Sequence, residues 1–95
     1  MNVAPAHLVE VTAGREKNKY FVVTAVIDEN YVLICDGRRR KVEAPKKKKL
    51  KHIKGLDYSL KEIKEKLDLG KEINNSQVRK SIRTGLKELK ILDEE

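Results

Sequence analysis

Residues 20–37 read YFVVTAVIDENYVLICDG, and the fold of the whole chain follows from how this stretch pairs with itself. Tyr20–Asp28 is dense in β-branched and aromatic residues, the types that fit a pleated, half-buried surface. Glu29-Asn30 turns the chain, with Asn30 suited to a left-handed backbone, and Tyr31–Cys35 returns as the antiparallel partner. Asp36-Gly37 is a two-residue hairpin signal that feeds a further strand over Arg38–Val42. Phe21, Val23, Ala25 and Ile27 form one apolar face, yet Val22 and Val26 leave the opposite face apolar too, and Leu33 and Ile34 repeat the ambiguity. A strand apolar on both sides needs a cover on each.

Upstream, Met1–Ala6 reads as a loose arm and His7–Thr12 as a short strand. Between them and the central hairpin lies Ala13–Lys19, AGREKNK, where Gly14 and Asn18 are the residues that accept positive φ most easily. Downstream of Pro45, a last edge strand is expected around Lys48–Lys51, its lysines discouraging further sheet pairing. Short strands with tight turns in this number suggest a small closed or half-closed barrel.

Gly55-Leu56-Asp57 breaks the pattern, and the period then changes. Ser59-Leu60-Lys61-Glu62 matches a capping box ahead of a helix that buries Leu60, Ile63 and Leu67 and closes at Leu69-Gly70. Asn74 or Asn75 caps a second helix running to about Leu89, with Val78, Ile82, Leu86 and Leu89 on one stripe. Gly85 interrupts that helix at a cost of about 1 kcal/mol relative to alanine, which close packing would explain. Arg79, Lys80, Arg83, Lys87 and Lys90 give it a basic side that a solvated face accounts for equally well, and Asp93-Glu94-Glu95 reads as a frayed end. The two helices are the available cover for the second apolar sheet face. The fold class is therefore α+β, with residues 1–54 as a barrel and 55–95 as a helical hairpin packed on it.

Charge is concentrated in one segment. Arg38–Lys54, RRRKVEAPKKKKLKHIK, carries ten Lys/Arg against one acid, Glu43. It is +9 in a chain of +7, so all other residues together are slightly acidic, at −2. Ten like charges repel one another, and a linker needs no such concentration; a polyanion does. Arg38, Arg39 and Arg40 can make forked phosphate contacts, while Lys41, Lys46, Lys47, Lys48, Lys49, Lys51 and Lys54 act as point charges, with His52 among them.

Catalysis finds little support. His7, His52 and Cys35 have no metal-ligand spacing, so neither a metal nor a cofactor is expected, and Cys35 falls in an apolar strand as a small core residue. No phosphate-binding Walker loop or nucleophile elbow is present. The four rings of Phe21, Tyr20, Tyr31 and Tyr58 are too few for a base-stacking platform, which favours reading shape and phosphate over sequence. No apolar run is long enough for a membrane span, and the N-terminal residues have no signal-like core. With one unpaired cysteine, the expected location is the cytoplasm.

The run AGREKNKYFVV, followed by an apolar return to Asp36-Gly37, resembles the KOW motif of ribosomal proteins and transcription elongation factors. With the continuation YVLICDGRRRKVEAPKKKKLKHIK, His7–Lys54 is similar to small bacterial KOW proteins related to archaeal and eukaryotic large-subunit ribosomal proteins of the fourteen-e type. The resemblance implies a Src-homology-three-like β-barrel, here followed by a C-terminal pair of helices, that binds RNA, chiefly ribosomal RNA, and performs no chemistry. By position it assigns Gly14 as the central glycine and Arg15, Lys17 and Lys19 as loop residues approaching RNA backbone. Asn18 stands where the family has a second glycine, which restricts close approach to phosphate. The expected function is thus a ribosome-associated RNA-binding protein. The alternative is an adaptor of the transcription or translation machinery, using the helical half to capture a protein partner. A lipid-surface role lacks the second attachment it requires.

Overall fold

The computed structural model describes residues 3–93. Five strands, β1 (His7–Val11), β2 (Tyr20–Val26), β3 (Tyr31–Cys35), β4 (Lys46–Lys49) and β5 (Ile53–Ser59), precede two helices, α1 (Lys61–Asp68) and α2 (Asn75–Glu88). All pairings are antiparallel, in the order β4-β3-β2-β1-β5. The chain is α+β, but β4 and β5 are the two ends of the sheet and do not pair, so it does not close into a barrel.

The sheet is nevertheless strongly curled. Only one turn of 3₁₀-helix, Leu50–His52, links β4 to β5. Four residue steps span at most about 14 Å. In a flat five-stranded sheet those edges would stand about 19 Å apart. Curling also buries one face without help from the helices. Val9, Val11, Phe21, Val23, Val32, Ile34 and Ile53 form a cluster contributed by strands alone, with Val3 and Leu50 at its margin.

The opposite face carries Leu8, Val22 and Cys35, and these pack with Leu60, Ile63, Val78, Ile82 and Leu86. The helices therefore cover the second apolar face, the role their amphipathic stripes predicted. Gly85 lies where α2 approaches closest: a Cβ there would stand 2.9 Å from Leu60 Cδ2 and 3.2 Å from Leu8 Cδ2. Close packing is the reason for a glycine inside this helix.

Several local expectations yield to the sheet. Gly55–Asp57 is no break but the middle of β5, so residues 55–59 belong to the sheet and the boundary at 54/55 cuts a strand. His7 pairs with Ser59 and Val9 with Gly55, leaving a bulge opposite Leu8 that Asp57 absorbs at φ 57°. Ser59 is consequently unable to cap α1. Its backbone is held against His7, Leu60 N donates to Ala6 O at 2.8 Å, and Leu60 becomes the N-cap with no side-chain bond. α2 is capped as predicted, by a reciprocal box between Asn74 and Gln77.

Ala6 is fully buried and donates to Val23 O at 2.7 Å, so the arm is tied down from there on, Met1 and Asn2 lying outside the described residues. The β2–β3 turn is made by Asp28, whose Oδ1 accepts from the backbones of Asn30 and Tyr31, so Asn30 needs no left-handed backbone. At the C-terminus Asp93 is exposed, and Glu94 and Glu95 lie outside the described residues.

Candidate nucleic-acid interface

The loop between β1 and β2 adopts the predicted backbone: Gly14 has φ 91° and Asn18 φ 70°. Asn18 N donates to Val11 O at 2.7 Å and Lys17 N to Gly14 O at 3.2 Å, closing it tightly. Its charges do not all face water. Glu16, which nothing in the sequence singled out, is 5% exposed and accepts from Arg40 Nε at 2.9 Å. Lys48 Nζ donates to Ala13 O at 3.4 Å on the other side of the loop. Two cations of the basic strip are thus structural clamps. Arg40→Ala leaves the Glu16 carboxylate buried without a counter-ion, and since Arg40 is itself partly exposed, a loss of about 1–3 kcal/mol is expected in urea unfolding.

The segment after Asp36-Gly37 is not a strand. Asp36 Oδ1 accepts from the backbones of Arg38 and Arg40, while Asp36 N and Gly37 N both donate to Arg40 O. A carboxylate that offers local acceptors outcompetes the ladder, and β3 takes Lys46–Lys49 as its partner instead. The resulting arginine loop is docked on the first turns of α2. Arg79 Nη1 donates to Gly37 O at 2.7 Å, and Asn75 Oδ1 accepts from Val42 N at 2.8 Å. Asn75 Nδ2 also donates to Glu43 Oε1 at 3.0 Å, and this bond holds the Glu43 carboxyl below its usual range. The stability this bond adds is present at neutral pH and weakens as pH falls through the lowered value.

Docking the loop creates an open groove of about 600 Å³. Asn18 and Lys19 come from the first loop, Arg38 and Arg39 from the second, and Arg79, Lys80 and Arg83 from α2. Tyr20, Ile82, Leu86 and Leu92 supply its apolar lining. Six cations meet one carboxylate, Asp36, whose Oδ1 is already engaged by backbone amides. Among the described residues, Lys19, Arg38, Arg39, Lys80 and Arg83 form no salt bridge. Unneutralised cations at such density make a strongly positive potential.

No family model and no curated protein matches this chain.

The basic strip is divided among several surfaces. Lys46 and Lys48 are half-buried, aligned with Ile34 and Val32 across the β3–β4 pair, whereas Lys47 and Lys49 are exposed on the other side. Lys47 Nζ sits 4.5 Å from the centre of the Tyr31 ring, a cation–π contact. Lys51 and His52 lie on the 3₁₀ turn, and Lys54 is carried to the opposite end of the sheet on β5. Arg15 and Lys17 are exposed in the first loop and Lys41 in the second. The groove therefore unites Asn18, Lys19, Arg38 and Arg39 from the predicted set with three residues of α2 that were not in it. The signal for these was present: Arg79 and Arg83 are four apart and border the buried Val78–Ile82–Leu86 stripe. What a linear reading lacked was the arginine loop lying against them.

Cys35 is fully buried beside Val22 and the helices, and burial, followed by the charge of Asp36, pushes its thiol up to about 12. Native protein at pH 8 should alkylate with iodoacetamide about a thousandfold more slowly than the unfolded chain, because so little thiolate is present. The same shift makes stability fall as pH rises from 9.0 towards 12, where the unfolded thiol loses its proton and the folded one keeps it.

Proposed function

We propose that this is a non-catalytic RNA-binding protein of the KOW type, associated with ribosomal RNA. The observation that carries the reading is the convergence of the Ala13–Lys19 loop, the arginine loop and the basic side of α2 on one groove to which each contributes cations without a salt bridge. Helical and sheet surfaces of low charge would serve an adaptor as well; a dense set of unpaired arginines and lysines serves phosphate. The half-open barrel of the Src-homology-three-like class is supported by the strand order, by the single 3₁₀ turn joining the two sheet edges, and by an inner core built from strands alone.

The test is a salt series with a structured RNA fragment, read by fluorescence anisotropy. With about six phosphate contacts, affinity should fall roughly a thousandfold over a fourfold rise in salt. Sedimentation of cell extract at low salt locates the partner: the protein should travel with the large ribosomal subunit and be released at high salt. A flat salt response would overturn RNA binding through phosphates, and protein left at the top of a low-salt gradient would overturn the ribosomal assignment.

A further inference from the structure

We infer that the groove between the arginine loop and α2 holds one unstacked nucleotide of an RNA strand, its base against the apolar lining and its flanking phosphates on the surrounding cations. The inference rests on the RNA-binding reading above and assigns a ligand class to that site. The groove is open, with a volume of about 600 Å³, and its lining is both apolar and cationic.

Its apolar lining is the part a phosphate backbone would not use. Ile82 and Leu86 are almost buried, Tyr20 is half-buried at the start of β2, and Leu92, 37% exposed, offers the most open apolar surface. Leu92 is brought there by the end of the helix: Lys90 takes φ 60°, and the backbones of Ile91 and Leu92 both donate to Leu86 O. Arg38 and Arg39 come to the groove from the arginine loop and Lys80 and Arg83 from α2, so cations from two elements share it with the apolar residues. Bases splayed out of single-stranded loops and bulges are recognised by aromatic rings or guanidinium planes against the base, for which the groove has Tyr20 and its arginines, and by cations along the backbone.

Two hairpin RNAs of identical stem test this, one fully paired and one with a single bulged nucleotide in the stem, the second made with each of the four bases at the bulge. Full-length protein should bind the bulged form about tenfold more tightly. Leu92→Ser changes no charge and lies on an exposed residue beyond α2, so the protein should fold normally. It should reduce the preference for the bulge, taken as the ratio of the two affinities, about three- to tenfold. Equal binding of both hairpins by wild-type protein, or displacement of the bulged RNA as readily by poly-glutamate as by an unlabelled bulged competitor, would overturn the inference and leave RNA binding standing. Absence of binding to either hairpin at low salt would overturn the RNA reading itself, and this inference with it.

Discussion

Replacing Gly37 by alanine is expected to cost about 3 kcal/mol and to lower the thermal midpoint by roughly 10–25 °C for a domain of this size. Gly37 has φ 78°, which costs an L-residue about 1–2 kcal/mol. A Cβ there would stand 2.5 Å from the main-chain oxygen of Asn75 and 3.0 Å from Arg79 Cγ. The first of these is backbone at the start of α2 and cannot swing aside, so the arginine loop must lift from the helix. Lifting breaks the charged hydrogen bond from Arg79 to Gly37 O, worth about 1.5–3 kcal/mol, and disturbs both bonds of Asn75. Gly70→Ala is the matched control, since Gly70 has a similar φ of 68° with nothing within 4 Å of the added carbon. It should show the backbone penalty alone. Equal effects of the two substitutions would mean that the loop is not held against α2.

The largest effect on binding is expected from Arg39→Glu combined with Lys80→Glu and Arg83→Glu. All three side chains are exposed and none bonds within the described structure, so circular dichroism and the thermal midpoint should stay near wild type. Each lost charge-assisted contact is worth roughly tenfold, so affinity for structured RNA should fall about a thousandfold, with the salt slope smaller by about three. Lys47→Glu with Lys49→Glu, on the exposed side of β4, serves as comparison. These residues lie outside the groove and should lower affinity only about tenfold through the long-range field. The opposite ranking would place RNA along β4 and leave the groove peripheral.

Much of the fold is legible because its signals are local. The β-branched and aromatic strands within Tyr20–Cys35, the positive-φ residues Gly14 and Asn18, the Asn74 cap and the stripe of α2 each depend on neighbours a few residues away. Errors fall where a distant partner outweighs a local preference. Ser59 and Glu62 form a plausible cap, but Ser59 is needed in a strand paired with His7, and Gly55–Asp57 carries turn residues that a bulge in β5 can absorb. Asp36-Gly37 signals a two-residue hairpin, yet the Asp36 carboxylate gathers Arg38 and Arg40 into a loop instead.

The candidate site divides along the same line. Composition and spacing alone determined that the chain carries a concentrated cationic segment, that two strands are apolar on both faces and that two amphipathic helices follow. Only the tertiary structure decided which cations remain free. Arg40 is taken by Glu16, Lys48 by Ala13 and Arg79 by Gly37, whereas Arg39, Lys80 and Arg83 stand unpaired around one groove. A charge can be counted from the sequence. Whether it is already satisfied depends on a partner brought to it by a contact 24 to 42 residues away, and that contact exists only once the sheet curls and the helices dock.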